Sequence, residues 1–151
     1  MKTPVNKEKF IQINIVVADI EEAAKSWADL LGIDEIPIHE SHLEGGDDYL
    51  YHGQPISCDL KTAGIKMNGF VIELHQPCGG QSSFQEFLDK HGNGVHHIGF
   101  EVGEDRDEII KELADEGYDV NRTIGIYPGS SWTIVDSEDR LGVNLNIKPK
   151  R

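Results

Sequence analysis

The sequence predicts an α+β protein: two paired βαβββ modules forming a curled mixed sheet around a cleft. Three observations carry this. The order strand, helix, three strands reads twice along the chain. The stretch "QINIVVADI" aligns with "HIGFEVGED", which sets Gln12 opposite His97 and Val17 opposite Val102. Likewise "NGFVIELH" aligns with "LGVNLNIK", which sets Gly69 opposite Gly142 and Glu73 opposite Asn146. The two offsets differ because the first half has a longer middle. The modules are expected over residues 9–80 and 81–148, the second opening with a linker helix, in a single compact domain.

Each element has its own signal. "FIQINIVV" (Phe10–Val17) alternates loosely and reads as a strand. In "DIEEAAKSWADLLG", Asp19 and Glu22 make a capping box. Ala23, Trp27, Leu30 and Leu31 are the expected apolar stripe of that helix, and Gly32 stops it. "EIPIHE" reads as a short strand broken by Pro37, and "SHLEGGDD" as a polar loop whose "GGDD" is turn chemistry. "YLYHGQPISCDLKTAGI" carries one or two strands with turn signals at Gly53 and Pro55, and "GFVIELHQP" is a strand rich in β-formers. "SSFQEFLDKHG" is a helix with Phe84, Phe87 and Leu88 on one side, and "GVHHIGFEV" returns to strand. "EDRDEIIKELADEG" is a helix expected to bury Ile109, Ile110, Leu113 and Ala114. Three strands follow, in "YDVNRTIGI", "SWTIVD" and "LGVNLNIKP", and the closing "KPKR" reads as a solvated tail.

Composition narrows the partners. With 27 acidic against 14 basic residues the net charge is −13, which argues against nucleic acid and anionic membranes. No apolar run approaches the roughly 18–20 residues of a membrane span. "MKTPVNKEKF" has no apolar signal core, so a cytoplasmic protein is expected, with Cys58 and Cys78 as free thiols. The remaining partner class is a small-molecule substrate or ligand.

"VVADIEEAAKSWADLLGI", "VIELHQP", "FLDKHGNGVHHIGFEV" and "LGVNLNI" together resemble the vicinal oxygen chelate superfamily, which includes glyoxalases, methylmalonyl-CoA epimerases, extradiol dioxygenases and bleomycin-resistance proteins. The resemblance spans about residues 9–148, and "FLDKHGNGVHHIGFEV" is most like the epimerase and glyoxalase-like branch. It implies a homodimer and four metal ligands on four strands, at Gln12, Glu73, His97 and Asn146. The family pattern has His where Gln12 stands and Glu where Asn146 stands. One imidazole, one carboxylate and two amides make a weak set for Zn or a non-haem iron. A divalent ion such as Mn, Co, Zn, Mg or Ni is the implied cofactor, weakened by Gln12 and Asn146, with no metal as the other outcome.

In regular strands adjacent residues face opposite ways, so His97 is expected in the cleft and His96 behind it. Glu73 and His75 share a face and are the candidate acid/base pair, and Glu101 shares a face with His97. Two functions follow from the resemblance. One is a metal-assisted isomerase or lyase that shifts a proton beside a carbonyl, acting on a CoA thioester or glutathione-type adduct. The other is a non-catalytic binding protein of bleomycin-resistance type with a degenerate metal site. A metal-free acid/base reaction by Glu73 with His75 is a third. His39 and His42 are expected in solvent, His52 in a turn, His91 at a helix end, and Trp132 either on a pocket wall or in the core.

Overall fold

The structure is a computed structural model that describes residues 1–44 and 48–149, with backbone only at Arg122. The "GGDD" turn therefore lies largely outside the described residues, as do Lys150 and Arg151. Among the described residues ten strands form one sheet. They are β1 (Phe10–Val16), β2 (His39–Glu44), β3 (Tyr49–Tyr51), β4 (Gln54–Pro55), β5 (Ser57–Lys66), β6 (Val71–Gly80), β7 (Gly94–Glu101), β8 (Asp119–Tyr127), β9 (Ser130–Asp136) and β10 (Asn144–Lys148). The helices are α1 (Ile20–Leu31), α2 (Ser83–His91), α3 (Arg106–Asp115) and the one-turn α4 (Glu138–Leu141).

The sheet order is β2-β5-β6-β1-β7-β10-β9-β8-β3-β4. β1 runs parallel to β6, and β7 parallel to β10. β1 and β7 pair antiparallel at the centre and join the two halves. Within each half the order is the same, β1-β6-β5-β2 and β7-β10-β9-β8. The sheet is mixed and strongly curled, because strands as far apart in it as β5 and β8 line one cavity. The hairpin β3–β4 comes from the first half of the chain but pairs with β8 of the second.

α1 starts where Asp19 accepts a hydrogen bond from the Glu22 N–H, and ends at Gly32 with φ 67°. Its buried line is Ile20, Ala24 and Ala28, packed on Ala63, Ile65, Ile72 and Leu74. Ala23 and Trp27 flank it, whereas Leu30 and Leu31 are exposed. The expected stripe is thus rotated, because small alanines at four-residue spacing bring the helix axis close to the sheet. α3 buries Ile109 and Leu113 against Val120, Val135, Leu145 and Ile147, with Ala114 left exposed. α2 caps the inner face through Phe84, packed with Val16, Cys58 and Leu60, and Phe87 and Leu88 lie against it.

Three other expectations are corrected. The strand read in "EIPIHE" lies later, in "HESHLE", and takes in part of the stretch read as loop. β2 is an edge strand paired only with β5 and exposed along most of its length, so burial demands no apolar residues there. The region from Tyr49 holds three strands, with the hairpin turning at His52 and Gly53, both at positive φ. Pro55 belongs to β4 rather than to the turn. Cys58 is buried and Cys78 exposed, both as free thiols. Among the described residues no helix is long and apolar enough to cross a membrane.

Candidate functional site

The concave face of the sheet encloses a cavity of about 220 Å³ beneath α2. Gln12 of β1, Glu73 and His75 of β6, His97 of β7, and Asn146 and Lys148 of β10 supply its polar lining. Leu60, Phe84, Tyr127, Trp132 and Ile134 supply the apolar walls. All five candidate site residues therefore meet in one place.

Asn14, with none of its surface exposed, organises one side. Its Nδ2 donates to Glu73 Oε1 at 2.9 Å and to His75 Nδ1. The carboxylate and the imidazole are thereby held side by side, 3.3 Å apart. The His75 ring stacks on Phe84 with centroids 4.6 Å apart. Burial pushes the His75 pKa down, and the Glu73 charge opposes that only in part. Burial thus favours the neutral form of His75, whose Nδ1 accepts from the Asn14 amide.

His97 and Gln12 form the floor. Gln12 Oε1 accepts from His97 Nε2 at 3.3 Å and from Asn146 Nδ2 at 3.4 Å. Asn146 Oδ1 accepts from the Thr133 N–H at 3.2 Å. Gly99 leaves the space for Gln12, since a Cβ there would sit 2.8 Å from Gln12 Oε1. Burial holds the His97 pKa well below its usual value, and repulsion by positive charge on the neighbouring basic groups acts in the same direction.

The expectation that His96 points away from His97 fails. The β1–β7 register slips between the pairs Asn14–His97 and Ile15–Val95, so His96 is the extra residue of a β-bulge. A bulge breaks the two-residue alternation. Both rings stay on the concave side, with His96 Nδ1 2.8 Å from His97 Nδ1. His96 sits between Phe84 and Phe87 and lines a smaller neighbouring cavity of about 120 Å³ with His91 and Asn144.

Glu101 is not part of this lining. It lies at the end of β7 beside Lys66, Phe70 and Ile11. His39 and His42 are exposed, and His42 faces Asp59 and Glu44. His52 sits at the hairpin turn near Glu86, and His91 at the end of α2 contacts Glu138. Trp132 is a wall of the cleft, its ring tilted against Tyr49 and Tyr127 with centroids 5.6 and 5.7 Å away.

The residue that departs furthest from expectation is Lys148. It ends the strand expected in "LGVNLNIKP", but where "KPKR" reads as solvated it is only 6% exposed. Its Nζ donates to Tyr127 OH at 2.8 Å, and both line the cleft. Strand alternation in "NLNIK" is the signal for it, because Asn144, Asn146 and Lys148 share a face. Asn14 carries the same signal, two residues from Gln12.

Residues 11–135 match the family described as the glyoxalase/bleomycin resistance protein/dioxygenase superfamily. The chain belongs to this superfamily. Solved structures of the superfamily type share the fold at low identity. A hypothetical protein from Bacillus halodurans is 21% identical with a TM-score of 0.65, covering 95% of this chain and 94% of its own. Methylmalonyl-CoA epimerase from Mycobacterium tuberculosis is 22% identical with a TM-score of 0.59, covering 95% and 88%. A Streptomyces coelicolor methylmalonyl-CoA epimerase variant in complex with 2-nitronate-propionyl-CoA is 20% identical with a TM-score of 0.63, covering 97% and 96%. No curated protein matches the sequence.

The four side chains expected as metal ligands, Gln12, Glu73, His97 and Asn146, all line the cleft, and as they are arranged they do not suit a divalent ion. Gln12 Oε1, the oxygen that would bind, already accepts from His97 and Asn146. Among the described residues no cluster of three or more His, Cys, Asp or Glu has metal-binding geometry. The Lys148 ammonium lines the same small cavity and would repel a cation.

Proposed function

We propose that this superfamily member is an isomerase or lyase that moves a proton beside a carbonyl, with Glu73 and His75 as the acid/base pair. The observation carrying this is the Asn14 clamp. It spends a buried amide on holding a carboxylate against a neutral imidazole at a cleft wall. Glu73 takes the proton from the carbon, and the C–H electron pair moves toward the carbonyl, whose oxygen gains the negative charge. The proton passes between Glu73 and His75 and is returned to the substrate skeleton, so nothing is oxidised or reduced. Positioned acid/base groups of this kind contribute about 10²–10⁴-fold in rate.

The substrate class follows from size and from the neighbours. A cavity of about 220 Å³ takes a small acyl group, not a whole cofactor-sized molecule. A CoA thioester, the ligand class named for the epimerase neighbours, would place its acyl end inside and the rest outside the cavity. The cytoplasm and a homodimer complete the proposal.

A second reading has its own observation. Gln12, His97 and Asn146 satisfy one another, as in a binding floor without chemistry. The two readings part in D₂O. Wild-type protein is expected to exchange the acidic hydrogen of methylmalonyl-CoA, followed by mass spectrometry, and Glu73→Gln to lose at least about 10²-fold of that rate. Binding of acyl thioesters without exchange, identical in both proteins, establishes the binding protein instead.

A further inference from the structure

We propose that Lys148 and Tyr127 form a metal-free subsite for a substrate carboxylate, in a cleft whose family ligand positions do not suit a divalent ion. The inference rests on the reading of this cleft as the substrate site. Lys148 is buried, and its Nζ spends one hydrogen bond on Tyr127 OH. Because the tyrosine oxygen accepts that bond, its own O–H remains to donate. An ammonium and a phenol hydroxyl thus converge on the cavity, a pair of donors matched to the two oxygens of a carboxylate.

The charge argument is independent of the hydrogen bonds. A buried charge without a counter-ion is costly, and buried ammonium groups are ordinarily paired. Among the described residues no carboxylate lies within ion-pair distance of Lys148. An anionic ligand supplies the missing partner. Arrival of an anion at a chain of net charge −13 also needs a local cation to favour it. Lys148 and Glu73 are the cleft's two formally charged side chains and have opposite sign. A ligand held by its carboxylate at Lys148 would present its other end to the Glu73–His75 pair. The subsite therefore selects ligands that carry a carboxylate.

The test uses malonate and its neutral analogue malonamide, titrated calorimetrically in EDTA. Wild-type protein is expected to bind malonate at least about tenfold tighter than malonamide. Lys148→Met, close to isosteric and apolar, should lose that preference and leave malonamide unchanged. Glu73→Gln should keep the preference. Equal affinity of wild type for the two compounds overturns the subsite, and this comparison needs no variant to fold. Undiminished malonate binding by Lys148→Met overturns it too, as does malonate binding that requires added Mg²⁺ or Mn²⁺. A wild type that prefers malonate through Lys148 yet exchanges no substrate hydrogen leaves the subsite standing and sinks only the proton-shift reading.

Discussion

Gly125→Ala probes how the aromatic wall of the cleft is built. Gly125 pairs across the sheet with Trp132 on one side and Tyr49 on the other. The indole lies over it to reach Tyr49. A Cβ at Gly125 would fall 2.1 Å from Trp132 Cε2 and Cζ2 and 2.6 Å from Cδ2. Ordinary carbon contact is near 3.5–4.0 Å, so the ring must withdraw by roughly 1.5 Å. Overpacking of this kind costs about 1–3 kcal/mol. Loosening the two aromatic contacts adds about 0.5–1.5 kcal/mol each. A loss of about 2–6 kcal/mol follows, which for a chain of this size lowers Tm by about 5–20 °C. Thermal unfolding by circular dichroism is the assay. Gly64→Ala is the control, since its Cβ would meet only Val71 Cγ1 at 3.9 Å. That variant should melt at or slightly above the wild-type temperature. Gly125→Ala melting within about 2 °C of wild type would refute the packing argument.

Three further outcomes follow from the site. His75 and His97 both have folded-state pKa values pushed down by burial, so the unfolded chain takes up their protons first as pH falls. Stability is then full above about pH 6.5 and declines below it, by up to about 1.4 kcal/mol per pH unit for each histidine. Urea titrations at pH 8 and pH 5.5 should show this, and His97→Gln should shrink the difference; an unchanged difference contradicts the assignment. Gly99→Ala sets a Cβ 2.8 Å from Gln12 Oε1, and should cost about 1–3 kcal/mol of stability and disturb ligand binding. Unaltered titration and melting curves for that variant would show that Gln12 is free to move. Finally, EDTA should leave Tm unchanged and added Mn²⁺, Co²⁺ or Zn²⁺ should raise it by less than about 1 °C. A metal-dependent rise that disappears in His97→Ala would restore the four-ligand site.

The alternation of strands carried most of what was legible. The pairing of Gln12 with His97 and of Glu73 with Asn146 came from two short alignments, and all four line the cleft. The same alignment sets His75 opposite Lys148, but the basic residues around Lys148 made it look like the start of a tail. A strand of two asparagines and a lysine buried on a concave face has no apolar signature. The His96 bulge was hidden for another reason. An inserted residue in one strand is defined by the register of its partner, which a single segment does not carry. The part of β2 from Ser41 to Glu44 reads as loop because edge strands face water and need none of the residues that mark buried ones. On α1 the apolar spacing located the helix, while the choice between Ala24 and Leu30 as inward residues depended on how close the sheet lies.

The hairpin that crosses from one half to the other also changes what the ends of the sheet offer to neighbouring molecules. It pairs with β8 from Thr123 to Gly125 and leaves β4 as the margin beyond it. That margin is two residues long, and one of them, Pro55, has no N–H to give. The opposite margin, β2, carries Glu40, His42 and Glu44 in solvent. An incoming strand would find too few backbone groups at one end and a row of charge at the other. A curled sheet of ten strands thus presents little that could template growth into larger β-assemblies. Pro55→Val together with neutral residues at Glu40 and Glu44 would remove that protection while leaving the cleft untouched.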